Sequence, residues 1–402
     1  MTRMNSILLI TSSYPAGSGE EFLEDEIRAM ASTGTVVHVV PTHPRGSVRG
    51  GLPSSDHIHY HVCGLASLEV LARSARLLAR RPSSVVNALR VVIRSRRHIV
   101  RNLSAFPKAL WVAQLASDES VQRIHASWLS VPSTVALVSA RVTGTPWSAT
   151  GHRWDIYNNN LLELKSREAS FIRFISARGR RDAIELGVLE SSSVVLHLGT
   201  RTSFADRTEE QLREPLTLIC PANLIRLKGH SYLLQALALM DAAKRPTVIL
   251  FGDGELREEL RALAAVLGVK SSVEFRGQVA RRELLATYAA IGRPAVVLPS
   301  LELGGGEHEG IPYSLIEAMA LGVPAIATDT GSVSELLAGL PGLVPAQDPP
   351  ALVSAFERLQ GDVEDYHQLS RSCFERVDAD WNAERSGRRL LELMWDCGPF
   401  DG

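Results

Sequence analysis

Short runs of apolar, mostly β-branched residues alternate along the chain with longer segments in which apolar residues recur every three or four positions. The longer segments predict helices with one buried face, such as the helix that carries Leu233, Leu234, Leu237 and Met240. The short runs predict strands that are buried on both faces, as in a parallel sheet. The predicted strands are 7–10, 36–40, 123–125, 147–149, 171–175, 194–196, 216–220, 248–251, 273–275, 295–298 and 324–327. This alternation predicts an α/β protein whose parallel sheets carry helices on both faces.

The alternation is interrupted once, at the polar segment 199–215, which contains no β-branched run. The chain of 402 residues is long enough for two domains with a core each. We therefore predict an N-terminal Rossmann-like domain at 1–200, a linker at 201–215 and a second Rossmann-like domain at 216–378. The segment 379–402 is predicted to form a helix, at about 381–395, that crosses back toward the N-terminal domain. Two such domains side by side would leave a cleft at the carboxyl ends of their strands, where open α/β sheets bind ligands.

The amino-acid composition argues against several classes of function. The formal net charge is −1, which argues against a dedicated nucleic-acid coat, and no run of roughly 18 apolar residues is present to span a membrane. The four cysteines, Cys63, Cys220, Cys373 and Cys397, are far apart and form no CxxC pair. A disulfide framework and a zinc site are therefore disfavoured, and we expect a cytoplasmic protein, with peripheral contact at the inner face of the membrane as an open alternative.

One stretch of the first predicted domain is strongly basic. Residues 70–117 contain nine arginines and Lys108, with no Asp or Glu, and apolar residues interleave with the arginines. The pattern predicts basic amphipathic helices. One interpretation is an ordinary solvated helix face, and the other is adhesion to an anionic membrane or to a phosphorylated acceptor. Nucleic acid is disfavoured because 71–100 offers no aromatic residue for stacking.

The most informative segment is 309–335, EGIPYSLIEAMALGVPAIATDTGSVSE. Pro312 suits the first turn of a helix, and Glu309 and Glu317 stand eight residues apart, before that helix and within it. We predict that residues 310–314 form the start of this helix, where exposed N–H groups attract anions such as phosphates. Taken as two arbitrary glutamates, these acids would more often be a helix-start residue and a solvated one.

The same segment resembles the EGxPxxxxEAMAxGxPVIAT signature of the retaining GT-B glycosyltransferases of family 4, of the polysaccharide-biosynthesis type. The resemblance implies a GT-B fold and a nucleotide diphosphate sugar as donor. It implies that Glu309 faces the hydroxyls of the donor hexose and that Glu317 accepts hydrogen bonds from the ribose. The neighbouring residues implied in donor binding are Gly310, Ile311, Pro312, Tyr313 and Ser314.

A second segment, NLIRLKGH at 223–230, resembles the GRLxxxKG element of the same family. Lys228 would pair with the donor diphosphate. Asn223 stands where the family has an arginine, and an amide can donate hydrogen bonds but adds no charge. Two weaker matches, FGDG and FRGQV, imply that Gly252, Gly277, Gln278 and Val279 bind the donor, the last three near its base.

Two segments of the first domain complete the resemblance. Gly17 and Gly19 resemble the glycine-rich first loop that closes over the donor phosphates, and they are not a dinucleotide fingerprint because the third glycine of GxGxxG would fall at Phe22. TGHRWDIY at 150–157 resembles TAHxxDI, which implies that His152 lies near the transferred sugar. Asp155 and His125 are expected at the acceptor, although a lone histidine is more often structural.

These inferences predict a retaining, metal-independent glycosyltransferase with no cofactor. It would move a hexose-type sugar from a nucleotide diphosphate sugar, with UDP favoured over GDP, to a hydroxyl of a glycan, a lipid-linked or a small-molecule acceptor. His152, Lys228 and Glu309 are the predicted catalytic residues. Two alternatives stay open: a sugar-nucleotide epimerase on the same fold, and a non-catalytic scaffold at a membrane surface. Of the macromolecular partners, an anionic membrane surface is retained and nucleic acid is not expected.

Overall fold

The computed structural model describes residues 5–17, 19–65 and 67–396. The described residues exclude 1–4, 18, 66 and 397–402, and the last of these ranges includes Cys397. The excluded residues fall in the predicted ranges 1–200 and 379–402. The described chain forms two compact units. One comprises the residues up to Gly199 together with those from Ala383 onward, and the other comprises Thr200–Asn382.

The first unit is built on a parallel sheet. Within the described residues it has seven strands in the order β3-β2-β1-β4-β5-β6-β7. The strands are β1 Ser6–Thr11, β2 Val36–Pro41, β3 Ile58–Tyr60, β4 Arg123–Ala126, β5 Trp147–Gly151, β6 Phe171–Phe174 and β7 Ser193–Val195. All six residues of β1, an interior strand of the sheet, are buried, as expected for a strand covered on both faces.

Helices cover both faces of this sheet. They are α1 Leu23–Ala31, α2 Leu68–Arg80, α3 Pro82–Ile93, α4 Ile99–Asp118, α5 Val131–Thr143, α6 Arg153–Asn158, α7 Leu162–Glu168 and α8 Ala177–Glu185, with 3₁₀ turns at Arg96–His98 and Glu190–Ser192. Helices α2, α3 and α4 form the predicted basic stretch. Lys108 is not part of its charged surface, because its buried Nζ donates to the carbonyl oxygen and the Sγ of Cys63, both at 2.9 Å.

The second unit repeats the same plan. Within the described residues its six parallel strands run in the order β10-β9-β8-β11-β12-β13. The strands are β8 Thr217–Pro221, β9 Thr247–Phe251, β10 Val273–Gly277, β11 Pro294–Leu298, β12 Ala325–Thr328 and β13 Leu343–Val344. The helices are α9 Glu209–Leu212, α10 His230–Leu239, α11 Arg257–Val266, α12 Arg281–Ala290, α13 Tyr313–Met319, α14 Val333–Leu337, α15 Pro349–Gly361 and α16 Val363–Asp380, with 3₁₀ turns at Arg226–Lys228, Ala242–Lys244 and Lys270–Ser272.

The last helix, α17 Ala383–Asp396, belongs to the first unit. Leu390, Leu391 and Met394 on this helix join the core that includes α1. A buried guanidinium fixes the contact, since Arg173 donates to Glu26 of α1 at 2.6 Å and to Ser386 of α17 at 3.0 Å. The C-terminal segment therefore completes the first core instead of extending the second.

Both sheets reverse their strand order at one point, between β1 and β4 in the first unit and between β8 and β11 in the second. In doubly wound sheets, ligands bind at the carboxyl ends of the two strands that flank this reversal. The loops after β1, β4, β8 and β11 are therefore where functional side chains are expected.

The prediction of two α/β domains with parallel sheets is confirmed. Two strands were not predicted: β3 interrupts its apolar residues with His59 and so lacks a continuous apolar run, and β13 has only two residues. Residues 201–215, predicted as a linker, lie within the second unit. Ser203 donates its N–H to the Ala320 carbonyl at 2.9 Å, and Leu212 of α9 is buried in the second core.

Candidate functional site

In the second unit, an ion pair joins the loops that follow β8 and β11. Lys228 Nζ lies 2.5 Å from Glu309 Oε2, and Ser300 Oγ donates to the same carboxylate oxygen at 2.9 Å. The two charged side chains are 19% and 10% exposed, so the pair is largely shielded from water. Two of the three predicted catalytic residues are thus brought together at the point where the sheet order reverses.

Two glycines allow close backbone packing around this pair, Gly229 in the loop after β8 and Gly331 in the loop after β12. Gly229 has φ +63°, and a Cβ atom there would lie 1.9 Å from the carbonyl oxygen of Pro299. Gly331 has φ +59°, and a Cβ atom there would lie 1.8 Å from the carbonyl oxygen of Glu309. A side chain at either position would displace backbone, so the position of Glu309 relative to Lys228 depends on both glycines.

A cavity of about 280 Å³ opens beside Lys228. Six of the predicted donor-binding residues line it: Asn223, Lys228, Gly252, Gln278, Val279 and Ser314. Gly277, the last residue of β10, accepts the N–H of Gly252 at 2.8 Å and so supports the same wall.

The helix that follows Glu309 begins only at Tyr313, with Pro312 in an extended conformation as its N-cap, so Gly310 and Ile311 precede the helix. This corrects the expectation that all five residues form a helix start.

Glu317 has a partner that was not predicted from the sequence. Its carboxylate accepts a hydrogen bond from Nε of Arg281, the first residue of α12, and the Arg281 guanidinium also donates to Thr200 Oγ1 at 3.3 Å. Glu317 is buried in α13. An acid on a buried helix face implies a cationic partner, but the sequence does not indicate that the partner lies 36 positions earlier.

In the first unit, a buried carboxylate closes the loop after β1. Glu20 accepts backbone N–H groups from Ser12 at 3.1 Å, Ser13 at 2.6 Å and Tyr14 at 2.8 Å, and the indole N–H of Trp128 at 2.5 Å. Trp128 follows β4, so Glu20 spans the reversal point of this sheet. Glu20 was not predicted, because it is one of five acids between residues 20 and 26 and no pattern distinguishes it from the other four.

The two glycines of this loop donate their N–H groups to acceptors within the protein. Gly17 donates its N–H to the Ser47 carbonyl at 3.2 Å, and Gly19 donates to the Glu21 carboxylate at 2.9 Å. Both glycines have positive φ angles, 73° and 103°. The backbone amides of this loop that are described above thus all have acceptors within the protein.

Glu20, Gly17, Gly19, Trp128 and Asp155 line a cavity of about 990 Å³. Asp155 accepts the N–H of Leu129 at 3.0 Å, and burial raises the pKa of its carboxyl to about 6. The aromatic side chains of Trp154 and Tyr157, which are 64% and 38% exposed, also line this space.

His152 packs behind the cavity wall. Its ring stacks on Trp128 with centroids 4.1 Å apart, and Nε2 donates to the Ser127 carbonyl at 3.0 Å. Burial, followed by the charge of Arg173, lowers the pKa of His152 to about 3. The ring is therefore neutral at physiological pH, and its one assigned proton is held by the backbone.

His125 is placed inside the sheet instead of at the cavity. Its Nδ1 and Nε2 both lie 2.8 Å from hydroxyl oxygens, those of Ser148 and Thr150 on the neighbouring strand β5. Burial lowers its pKa to about 3. Both ring nitrogens are engaged by the protein, which corrects the expectation that His125 contacts the acceptor.

Comparison with known proteins connects the geometry of the second unit to one family. Residues 215–362 match the family model of glycosyl transferases group 1. The matched segment begins just before β8 and ends after α15, so it contains Lys228, Arg281, Glu309 and Glu317.

The chain is also similar to curated glycosyltransferases over part of its length. The chain is 31% identical over 201 residues to the putative colanic acid biosynthesis glycosyltransferase WcaL of Escherichia coli, covering 48% of each chain. It is 29% identical over 180 residues to a GDP-mannose-dependent monoacylated alpha-(1-6)-phosphatidylinositol monomannoside mannosyltransferase of Corynebacterium glutamicum, covering 44% of this chain and 46% of that one. The chain thus spans about half the length of these relatives.

Solved glycosyltransferase structures match over nearly the whole length. A sucrose-phosphate synthase of Thermosynechococcus elongatus gives a TM-score of 0.72 at 19% identity, with 98% of both chains covered. HepE of Anabaena in complex with UDP gives a TM-score of 0.70 at 17% identity, covering 98% of this chain and all of that one. At these identities the likeness shows the fold alone, and the predicted GT-B fold of two Rossmann-like domains is confirmed.

Metal clusters and membrane-spanning helices are both absent from the described residues. These residues contain no group of three or more His, Cys, Asp or Glu side chains that could hold a metal ion. No helix among them has both the length and the apolar composition needed to cross a bilayer.

Proposed function

We propose that the protein is a retaining glycosyltransferase that moves a hexose-type sugar from a nucleotide diphosphate sugar to an acceptor hydroxyl, without a metal ion. The observation that carries the proposal is the Lys228–Glu309 pair at the carboxyl edge of the second sheet, beside a cavity lined by six of the predicted donor-binding residues. The family match over 215–362 covers this pair and that cavity.

Lys228 suits the diphosphate. The ammonium has three N–H donors, and Glu309 accepts one of them, so the others can reach phosphate oxygens from the cavity wall. During transfer the bond between the anomeric carbon and the diphosphate oxygen breaks, and its electron pair goes to the diphosphate. The acceptor oxygen bonds to the anomeric carbon, and the hydroxyl proton passes to the departing phosphate oxygen. A fixed cation beside that oxygen stabilises the developing charge.

The two glutamates suit the two sugars of the donor. Glu309 is held in place by Lys228 and Ser300, and a carboxylate with further lone pairs can accept hydrogen bonds from the hydroxyls of the transferred hexose. Glu317 would accept from the ribose hydroxyls, with the ion pair to Arg281 holding its carboxylate in position. Among the neighbours, HepE is bound to UDP and one relative depends on GDP-mannose, so both nucleotides belong in the test.

The acceptor would bind in the first unit. The cavity of about 990 Å³ there presents the Asp155 carboxylate and the exposed aromatic faces of Trp154 and Tyr157. A neutral His152 would act at the transferred sugar by position and hydrogen bonding, not by exchanging a proton near pH 7.

The test is a transfer assay with a panel of UDP- and GDP-hexoses and glycan, lipid-linked and small-molecule acceptors. We expect release of the nucleoside diphosphate together with a glycosylated acceptor whose anomeric configuration, read by NMR, matches that of the donor. Lys228→Ala should lower turnover by about 10²–10³, as for the loss of one donor to a developing oxyanion. The matched control is Lys270→Ala, an exposed lysine of the same unit, which should retain activity.

The rival functions give different outcomes. A new hexose isomer of the donor, formed without acceptor, would identify an epimerase instead. Anionic vesicle binding with no binding of any nucleotide would identify the scaffold. Normal turnover of Lys228→Ala would contradict the assignment of the diphosphate to this lysine.

A further inference from the structure

A separate cavity of about 480 Å³ lies in the first unit, where the α3–α4 connection meets the segment that joins α6 to α7. One wall carries Arg94, Arg96 and Arg97, and the other carries leucines, among them Leu161 and Leu164. It shares no lining residue with the cavity at Glu20. The function proposed above uses neither wall.

The backbone around this cavity is unusual. Arg96, Asn159 and Leu161 all adopt left-handed conformations, with φ of 43°, 46° and 58°. Among the described non-glycine residues, only Ser120 and Gln347 share this property. Left-handed backbone is costly for residues with a Cβ atom, most of all for a residue such as leucine. Strain of this kind persists where the surroundings enforce it, and it clusters at binding sites.

Hydrogen bonds hold the two walls together. His98 Nε2 donates to the carbonyl oxygen of Asn158 at 3.0 Å. Behind the cavity, the buried amides of Asn102 and Asn160 exchange two hydrogen bonds, at 2.9 Å and 3.0 Å. The shape of the cavity is therefore built by the fold and needs no ligand to form it.

The cavity has a charged side and an apolar side. Arg94, Arg96 and Arg97 are exposed and make no ion pair with another described residue. The one acid on the lining, Glu163, pairs with Arg167 at 2.9 Å. Positive charge that the protein leaves uncompensated, facing leucine side chains, fits an anion that carries an apolar group.

Exposed apolar side chains stand next to these arginines. Ile93 directly precedes Arg94 and is 53% exposed, and Val100, two residues after His98, is 79% exposed. Leu103, one turn further along α4, is 40% exposed. Apolar side chains among arginines are typical of a surface that lies in the interface of an anionic membrane.

We propose that this cavity, between the Arg94–Arg97 segment and the leucines at the start of α7, binds the phosphate group of an anionic membrane lipid. The arginines hold the phosphate, the leucines contact the adjoining apolar part of the lipid, and Ile93 and Val100 enter the interface. This assigns to one site the membrane contact that the basic stretch left open. It rests on the first unit alone, so it stands or fails independently of the proposed glycosyl transfer.

The test is co-sedimentation of the full chain with vesicles of phosphatidylcholine alone or mixed with phosphatidylglycerol. We expect binding to the mixed vesicles only. Arg94→Gln/Arg97→Gln should weaken it at least about 10-fold, since each arginine near a charged leaflet contributes roughly fivefold. The matched control is Arg76→Gln/Arg80→Gln, which removes the same charge from exposed positions of α2 outside the cavity. Equal losses in the two double variants would overturn the cavity assignment in favour of a general basic face.

Two further arms separate lipid from soluble phosphate. Val100→Ser should weaken vesicle binding because it removes one apolar side chain from the membrane interface. An unchanged unfolding midpoint would show that the variant still folds. Inorganic phosphate at millimolar concentration should not raise the midpoint of the wild type. A phosphate-dependent rise that Arg94→Gln/Arg97→Gln removes, without vesicle binding, would contradict the lipid assignment, as would equal binding to neutral vesicles.

Discussion

At the scale of single residues, buried charges of the second unit are held by specific partners. Removing Arg281 takes a cationic partner from the buried Glu317 carboxylate, whereas removing the Glu317 charge leaves an arginine that is 17% exposed and still donates to Thr200. We expect Arg281→Gln to lower the free energy of unfolding by about 3 kcal/mol, more than Glu317→Gln, because Glu317 is the more deeply buried of the two charges. Urea unfolding of both variants and of the double variant measures this. Additive losses would show that the two side chains do not interact.

Asn223 tests how much of the predicted donor site depends on charge. Its exposed side chain lines the cavity beside Lys228 but adds no cation to it. Asn223→Ala should weaken donor binding by about 0.5–1.5 kcal/mol, the value of one neutral hydrogen bond, and Asn223→Arg should be tolerated or tighten it. Calorimetry with the donor compares both variants with Lys228→Ala. If neither Asn223 variant differs from wild type, this residue does not contact the donor.

The buried histidines make stability depend on pH. The pKa of His125 and of His152 is lowered to about 3 in the fold, against about 6.5 unfolded, so the unfolded chain binds more protons between these values. Asp155, with its pKa raised to about 6, has the opposite effect on stability between about pH 4 and 6, because here the folded chain binds the extra proton. In that range it offsets the contribution of one of the two histidines. The combined contribution of these three groups to stability should therefore fall as the pH is lowered from about 6.5 toward 4.

The measurement is urea unfolding across this range for the wild type and His125→Gln. In the variant, the slope of unfolding free energy against pH should fall by the contribution of one proton, roughly 1.4 kcal/mol per pH unit between the folded and unfolded pKa values of His125. His367→Gln, a half-buried position in α16, is the control and should keep the wild-type slope. An unchanged slope in His125→Gln would show that this ring is not held neutral.

At the scale of elements, the loop after β1 is organised by one carboxylate. Glu20→Gln leaves the amides of Ser12, Ser13 and Tyr14 and the Trp128 indole with a single neutral acceptor. We expect the free energy of unfolding to fall by at most about 1.5–3 kcal/mol for each charged hydrogen bond that is weakened. Hydrogen exchange of residues 12–14 should become faster. Glu21→Gln is the control, since Glu21 accepts one N–H at 2.9 Å and lies 3.6 Å from Arg49. Equal effects of the two substitutions would contradict a special role for Glu20.

Sequence patterns predicted elements and local motifs better than they predicted partners. Strands buried on both faces were located to within about two residues, because a short, continuous run of β-branched residues is typical of a strand inside a parallel sheet. Glu309, Lys228 and Glu317 were selected because two short segments resemble signatures of a known family. Arg281 and Glu20 were not selected, because their contacts join segments far apart in the chain. His125 was misjudged because a strand-end histidine looks the same whether it faces a ligand or the hydroxyls of the next strand.

At the scale of the whole molecule, the two units share one strand order, and each joins polar side chains across the point where that order reverses. In the second unit the joined pair is Lys228 and Glu309, which leaves a cation on a cavity wall. In the first unit the joined groups are Glu20 and Trp128, and the Glu20 carboxylate also accepts backbone N–H groups of the loop after β1. The same architecture thus places a lysine on a cavity wall in one unit and a carboxylate among loop donors in the other, which supports the proposal that the diphosphate binds the second unit.

That assignment is tested most directly by titrating the wild type and Lys228→Ala with UDP, UMP and uridine, and with GDP, GMP and guanosine, by calorimetry. The wild type should bind one of the diphosphates at least about 10-fold more tightly than its monophosphate, since a charge-assisted contact is worth about 1.5–3 kcal/mol. In Lys228→Ala the diphosphate and the monophosphate should bind alike, while the nucleoside binds as to the wild type. A preference for the diphosphate that survives in Lys228→Ala would contradict the central claim.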